Sequence, residues 1–295
     1  CQATRRAEQS EALLDKRMQC LDGQATQTRA LVALLSKADA ALINRAVEAV
    51  GDLPDVEACT AAWLEQRVPP PKDRARTAPV EEALASARAL GQAGKFAEAR
   101  DAALSVRKQA AALAYKPLEA EALNLLGRMQ ERTQDFPGAE GTLAEALAAA
   151  QAGRDDEAAV VALAQLGRVT GVRRSRMDDG LRWVGIGRGA LARLGGSVRL
   201  EAQLEASEAA VLKEAGRLAE ALTHQEKLIA LLEGSPGESR PALAEAIAMR
   251  GRLLTELARF TEARDALTQA LGLQEALVGP THPDVAVTLN SLGMA

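Results

Sequence analysis

Three columns of residues recur in one register along most of this chain, and they leave it few folds. A small residue stands at Ala87, Gly127, Gly167, Ala209, Gly251 and Gly293, at intervals of 40, 40, 42, 42 and 42 residues. A bulky apolar side chain follows each full interval at Phe96, Phe136, Met177, Leu218 and Phe260. Just beyond comes a second small residue, at Ala99, Ala139, Gly180, Ala221 and Ala263. Residues 123–147, LNLLGRMQERTQDFPGAEGTLAEAL, show what the columns mean. Leu123, Leu126, Met129 and Gln130 fall on one stripe of a helix, and Ala139, Leu143, Ala146 and Leu147 on one stripe of a second. Gly127 and Ala139 are small where the stripes meet, and Phe136 sits at the turn between them. One such hairpin cannot bury both its faces, so it calls for copies of itself, and the columns supply them. The expectation is an all-α stack of antiparallel helix pairs, with about five and a half repeats over residues 80–295.

Composition agrees with this and removes other classes. Aromatic residues make up only 2% of the chain, and β-branched runs are absent, which disfavours a sheet. The net charge of −4 argues against general affinity for nucleic acid or anionic membrane. There is no run of eighteen apolar residues to insert in a bilayer. The chain opens on Cys1 and ends just after a sixth repeat has begun, which reads as a piece of a longer protein.

Residues 1–68 form a helical unit of their own. Ser10 is placed to cap a first helix with Leu13, Leu14, Met18, Leu21, Leu31, Leu34 and Leu35 as its apolar positions. A second helix is expected from about Asp39 to Val50, with Leu42, Ile43, Ala46, Val47 and Val50 inward. Gly51 and Pro54 end it, before a segment carrying Trp63 and Leu64. All three cysteines, Cys1, Cys20 and Cys59, lie in this unit. On one continuous helix Cys1 and Cys20 would be roughly 28 Å apart, whereas a disulfide needs α-carbons within about 7 Å. Cys20–Cys59 is the easier bridge, unless the chain breaks before Ser10. The alternative is three small buried residues in a reduced cytosolic protein. Residues 69–79, opening on three prolines, read as a stiff charged linker.

Catalytic chemistry is not legible here, so the chain is read as a non-enzyme. No phosphate-binding loop or kinase motif is present, and GIGRG at 185–189 is not GxGxxG. Those glycines are expected to allow tight packing in their helix. His224 and His282 are far apart and lack a Cys, Ser or Asp partner, so both read as surface residues. No metal-ligand spacing occurs and no cofactor is implied. Arg173, Arg174, Arg176 and Arg182 could meet an anion, though Asp178 and Asp179 beside them balance a solvated loop equally well. Trp183, if exposed, would mark a contact surface. Repeat three carries one extra residue in its turn, and repeat four places Glu208 where a leucine is expected.

The columns resemble the tetratricopeptide repeat, with its small residue in the first helix, aromatic at the turn and alanines in the second. The period exceeds the usual ~34 residues, and with the loop GPTHPDVAVTLNSLG at 279–293 it resembles the long repeats of kinesin light chains. Thr281 would cap the last helix there, with Pro283 and Asp284 in its first turn. The resemblance implies a protein- or peptide-binding scaffold whose first helices line a concave groove. The residue after each small one would face that groove: Arg88, Arg128, Arg168, Ala210 and Arg252. Asn124 and Asn290 would face it too, able to bond an extended peptide. Guanidinium groups bind carboxylates in bidentate fashion, so an acidic or C-terminal peptide is the implied partner. The bland alternative pairs these arginines with Glu81, Glu121, Glu131 and Glu245 on their own helices.

CQATRRAEQSEALLDKRMQCL, the AVEAVGDLP segment, the prolines and the long repeats are together similar to the C-terminal region of bacterial transmembrane serine/threonine kinases. That resemblance implies the sensor or docking region of a receptor, outside the cytoplasmic membrane, where a disulfide fits. A cytosolic adaptor or regulator, or a structural appendage of another enzyme, would read the same within the repeats.

Overall fold

The structure, a computed structural model, describes residues 10–37, 40–51, 53, 59, 68, 69, 71, 73–234 and 240–295. Among these residues there are thirteen α-helices and no strand. Helix α1 (Glu11–Leu35) and α2 (Ala40–Gly51) precede five antiparallel hairpins. The hairpins are α3 (Arg74–Gln92) with α4 (Phe96–Ala112), α5 (Lys116–Arg132) with α6 (Phe136–Gly153), and α7 (Asp156–Arg168) with α8 (Met177–Arg193). They continue as α9 (Val198–Glu214) with α10 (Leu218–Glu233) and α11 (Arg240–Glu256) with α12 (Phe260–Val278). Helix α13 (Pro283–Met294) begins a sixth. Each hairpin packs on the next, giving a right-handed TPR-like superhelix.

The three sequence columns are the contacts that close each hairpin. Phe96, Phe136, Met177, Leu218 and Phe260 are each the first residue of a second helix. Ala99, Ala139, Ala221 and Ala263 are fully buried. A Cβ added at Gly127 would come within 2.6 Å of Leu143 Cγ, and one at Gly251 within 2.5 Å of Leu267 Cγ. The first helix thus approaches its partner as closely as a bare backbone permits. At Gly293 an added Cβ meets nothing within 4 Å.

The turns share one hydrogen-bond pattern, with one informative exception. Lys95, Asp135, Arg217 and Arg259 each donate their amide to the carbonyl five residues back, at 2.9–3.0 Å. A left-handed residue, Gly94, Gln134, Gly216 or Ala258, precedes each donor, as in a Schellman cap. In hairpin three the donor, Arg176, reaches six residues back to Thr170, at 3.0 Å. The extra residue is absorbed by a π-helical turn, Val169–Arg173, at the end of α7, which is how one inserted residue is accommodated in a helix. There α7 and α8 meet almost backbone to backbone. A Cβ on Gly180 would lie 2.7 Å from the Gly167 carbonyl oxygen and 2.7 Å from Gly171 Cα. Since backbone cannot give as the Leu143 side chain can, Gly180→Ala is expected to cost about 1–3 kcal/mol and Gly127→Ala less. Thermal melts of the two variants check this; equal midpoints would count against the close approach.

Several local expectations need correction. The first hairpin starts at Arg74, capped by Asp73, so residues 74–79 are helix and not linker. Pro79 is carried inside α3. On α1 Met18 and Leu21 are exposed, and on α2 so are Ile43, Val47 and Val50. Leu42 and Ala49, one heptad apart, are the buried face of α2. Of the glycines in 185–189, Gly187 packs against Leu204 and Leu163, while Gly185 and Gly189 border open space. His282, not Thr281, caps α13, its Nδ1 accepting from the Asp284 amide at 3.3 Å. Cys20 and Cys59 are bridged, with α-carbons 5.6 Å apart. Cys1, Pro54, Trp63 and Leu64 lie outside the described residues.

Candidate functional site

The first helices of the hairpins, α3, α5, α7, α9 and α11, carry the candidate groove. Arg88 on α3 donates from Nη2 to Glu121 Oε2 of α5 at 2.7 Å. Arg168 on α7 grips Glu131 of α5 with both arms, Nε to Oε1 at 3.1 Å and Nη2 to Oε2 at 2.5 Å. Lys213 on α9 reaches Glu256 of α11 at 3.0 Å. These pairs run between repeats, where the alternative reading of the sequence put them along one helix. They form a ladder of alternating charge that stitches neighbouring inner helices together.

The rungs differ in weight. The pairs Arg88–Glu121 and Lys213–Glu256 are partly exposed on both sides and contribute little to stability. Glu131 is different: its side chain is 3% exposed, and Arg173 adds a second cation at 3.3 Å from Oε1. Burying a carboxylate is costly unless it is paired, and here both oxygens accept hydrogen bonds from guanidinium groups. Arg252 on α11 is half-buried, its Nη2 near Met249 Sδ at 3.9 Å. Burial pulls its pKa below the ordinary arginine value, and the charges of Glu245 and Glu256 offset that only in part. Arg128 on α5 is the exposed member of the arginine column.

The asparagines separate. Asn124 is buried, and its Nδ2 donates to the Ala158 carbonyl of α7 at 3.0 Å. It latches hairpin two to hairpin three. Asn290 is exposed on α13. Gln225 on α10 makes an equivalent latch to the Ala246 carbonyl of α11 at 2.9 Å, one that no column in the sequence announced.

The basic cluster after the π-helical turn is turned back on hairpin two. Arg173 reaches Glu131 and lies 5.9 Å from the centre of the Phe136 ring. Arg174 and Arg176 both pair with Glu140 of α6, and Arg182 pairs with Asp179 at 2.9 Å. The balancing acids are therefore chiefly Glu131 and Glu140, with Asp179 taking Arg182. Trp183 is half-buried, packed against the core cluster that includes Leu163, Val184 and Leu204, and so is not an open contact surface.

A second polar cluster, missed in the sequence, sits where α8, α9 and α10 meet. Glu205 on α9 is 3% exposed in its side chain. It accepts from Arg188 Nη2 of α8 at 2.7 Å and bonds His224 Nδ1 of α10 at 2.6 Å. Arg188 also pairs with Glu208, and His224 Nε2 lies 3.5 Å from Glu208 Oε1. Glu208 in place of leucine is the other half of this cluster, and the register of repeat four holds around it, with Ala209 buried. His224 is not a surface residue, because two acids draw it in. Burial pushes the Glu205 carboxyl up, but hydrogen bonds from His224 and Arg188, with their charges, outweigh it and hold the group below the ordinary carboxylate value.

Among the described residues, no three His, Cys, Asp or Glu side chains come together as a metal would require, and no helix is long and apolar enough to cross a membrane.

Comparison with known proteins agrees with this architecture. Residues 201–276 match the family model described as tetratricopeptide repeat. No curated protein sequence matches the chain. Among solved structures it is similar to BtubC (BKLC) from P. vanneervenii, at 16% identity and a TM-score of 0.57, over 69% of this chain and 83% of that one. It is also similar to a Podosopora anserina protein of kinesin-light-chain type with nearly identical TPR-like repeats. One crystal structure of that protein gives 16% identity and a TM-score of 0.52, over 70% of this chain and 98% of that one. At these identities the likeness is one of fold.

Proposed function

We propose that the chain is a protein-binding scaffold that takes an extended, acidic peptide along the inner helices. The observation that carries this is the arginine set directly after the small residue in four of the five full repeats, on the helices that face the inside of the stack. Stacked repeats of this kind use their concave surface for extended ligands. A carboxylate-bearing peptide would meet Arg128 at the surface. It would compete with Glu121 for Arg88, and it would leave the buried Glu131–Arg168 pair in place. Affinity should therefore be modest and should fall with salt.

Fluorescence polarisation with acidic and charge-neutral peptide pools tests the reading. Arg128→Ala is expected to weaken acidic-peptide binding. Glu121→Gln, which releases Arg88 from its rung, is expected to strengthen it by a few-fold, on the scale of about 0.5–1 kcal/mol for one exposed ion pair. Binding indifferent to both substitutions and to salt would move the site elsewhere. Arg168→Ala is the poorer probe, since it strips a buried carboxylate of its main partner.

As its setting, we place the scaffold in the extracytoplasmic sensor or docking region of a bacterial serine/threonine kinase. The first 21 residues and the AVEAVGDLP and proline segments support this by resemblance, and the Cys20–Cys59 bridge by its chemistry, since such bonds persist in oxidising compartments. Reading the coding sequence upstream of Cys1 decides it: a membrane helix preceded by kinase motifs supports the setting, and a DNA-binding domain overturns it.

A further inference from the structure

We infer that α2 is a strap across the mouth of the repeat arc, held shut by the Cys20–Cys59 disulfide and opened by reduction. The inference concerns access to the groove proposed above and rests on that reading only for its purpose; the strap itself is testable without a ligand.

Helix α2 packs against α1 and α3 at the start of the stack, and also against both α11 and α12 of hairpin five. Hairpins one and five are separated along the stack by three others, so a helix touching both must cross between the arms of the arc. Twelve residues of helix span roughly 18 Å, and the arc is curled tightly enough for that length to bridge it.

The anchorage at hairpin one is specific. Ala49 is fully buried in a cluster with Leu31 of α1 and Ala89 of α3. The Arg45 guanidinium lies 5.5 Å from the centre of the Phe96 ring, the turn residue of hairpin one. Arg132, from the end of α5 on the inner side, lies 4.4 Å from the same ring. Gly94, at φ +78°, is overlain by Arg45 so closely that a Cβ there would lie 2.6 Å from Nη1. The strap therefore sits over the end of the inner helices where Arg132 and the α3–α4 turn meet.

The disulfide closes a stretch of 39 residues that contains all of α2. Cys20 lies in the middle of α1, which packs along α3, and Cys59 lies beyond the end of α2. Both ends of the strap are thus tied to α1, one by chain continuity and one by the bridge, and α1 packs along α3 of the first hairpin. Opening requires a dithiol reductant. Its two thiols form a disulfide as Cys20 and Cys59 each gain an electron and a proton, in two exchange steps through a mixed disulfide.

The test is the distance between the arms. In a Cys1→Ser background, Gln109→Cys on α4 and Gln269→Cys on α12, both exposed, would carry thioether-linked spin labels or dyes. A single narrow distance is expected in the oxidised protein. Treatment with a dithiol should lengthen and broaden it, and Ala49→Glu should do the same without reduction by expelling the strap from its cluster. Far-UV circular dichroism confirms in each case that the repeats stay folded. A distance unchanged both by reduction and by Ala49→Glu would overturn the strap and leave the peptide-binding assays standing. Loss of peptide binding with an intact, reducible strap would do the reverse.

Discussion

Arg188→Ala is expected to lose about 3 kcal/mol of stability at neutral pH, and the loss should shrink as the solution is acidified. Removing one partner of a buried ion pair strands the other charge, at a typical cost of about 3–5 kcal/mol. The lower end applies, because Arg188 is 37% exposed and His224 still holds Glu205. In the native protein Glu205 titrates below the ordinary carboxylate value. It binds its proton less tightly folded than unfolded, so its contribution is present above the ordinary carboxylate range. That contribution is lost as pH falls through the folded value. Without Arg188, burial is opposed by His224 alone, and Glu205 takes up its proton at higher pH. The protonated form escapes the desolvation cost, so native and variant converge in acid. Denaturant midpoints at pH 7 and pH 4, followed by Trp183 fluorescence in a Trp63→Phe background, measure this. A difference that stays constant with pH would show that Glu205 is not the stranded charge.

This cluster also marks where reading the sequence stops. The columns at Gly127, Phe136 and Ala139 are legible because each stands for one backbone distance that every hairpin must satisfy, so repetition exposes it. Glu208 breaks the pattern once and looks like a fault. Its reason lies on two other helices, in Arg188 and His224, twenty and sixteen residues away, and no local periodicity connects them. The arginine column suffers from the reverse problem. It repeats as faithfully as the glycines, yet its members differ in surroundings: Arg168 is committed to a buried acid, Arg252 is half-buried, and Arg128 is exposed. Repetition in sequence identifies a face of a helix. What lies opposite that face depends on the next repeat, and there the copies diverge. The inserted residue of repeat three was visible as a count, but its conversion into a π-helical turn follows from the close approach of Gly167, Gly171 and Gly180, which holds the register on either side.

The N-terminal unit was the least legible part, for an energetic reason that leads to the largest expected effect. Met18, Leu21, Val32, Ile43, Val47 and Val50 are exposed in α1 and α2, while Leu31, Leu42 and Ala49 are buried. So little apolar burial among the described side chains of α1 and α2 leaves these helices weakly held by packing alone, and a covalent tie then governs whether α2 stays in place. Closing a loop of 39 residues lowers the entropy of the open chain by about 4 kcal/mol. The double variant Cys20→Ser/Cys59→Ser should therefore expose the α2 amides to exchange about a thousandfold faster, since each tenfold corresponds to about 1.4 kcal/mol. Amides of α5 and α6, buried within the stack and far from the bridge in sequence, should keep their protection. Hydrogen exchange read by mass spectrometry on peptides covering 40–51 and 120–150 makes the comparison within one sample. Equal protection of α2 in both forms would mean that Ala49, Leu42 and the Arg45–Phe96 contact hold the helix without the bridge. Loss of protection throughout the stack would mean that the bridge supports the repeats and not the strap alone.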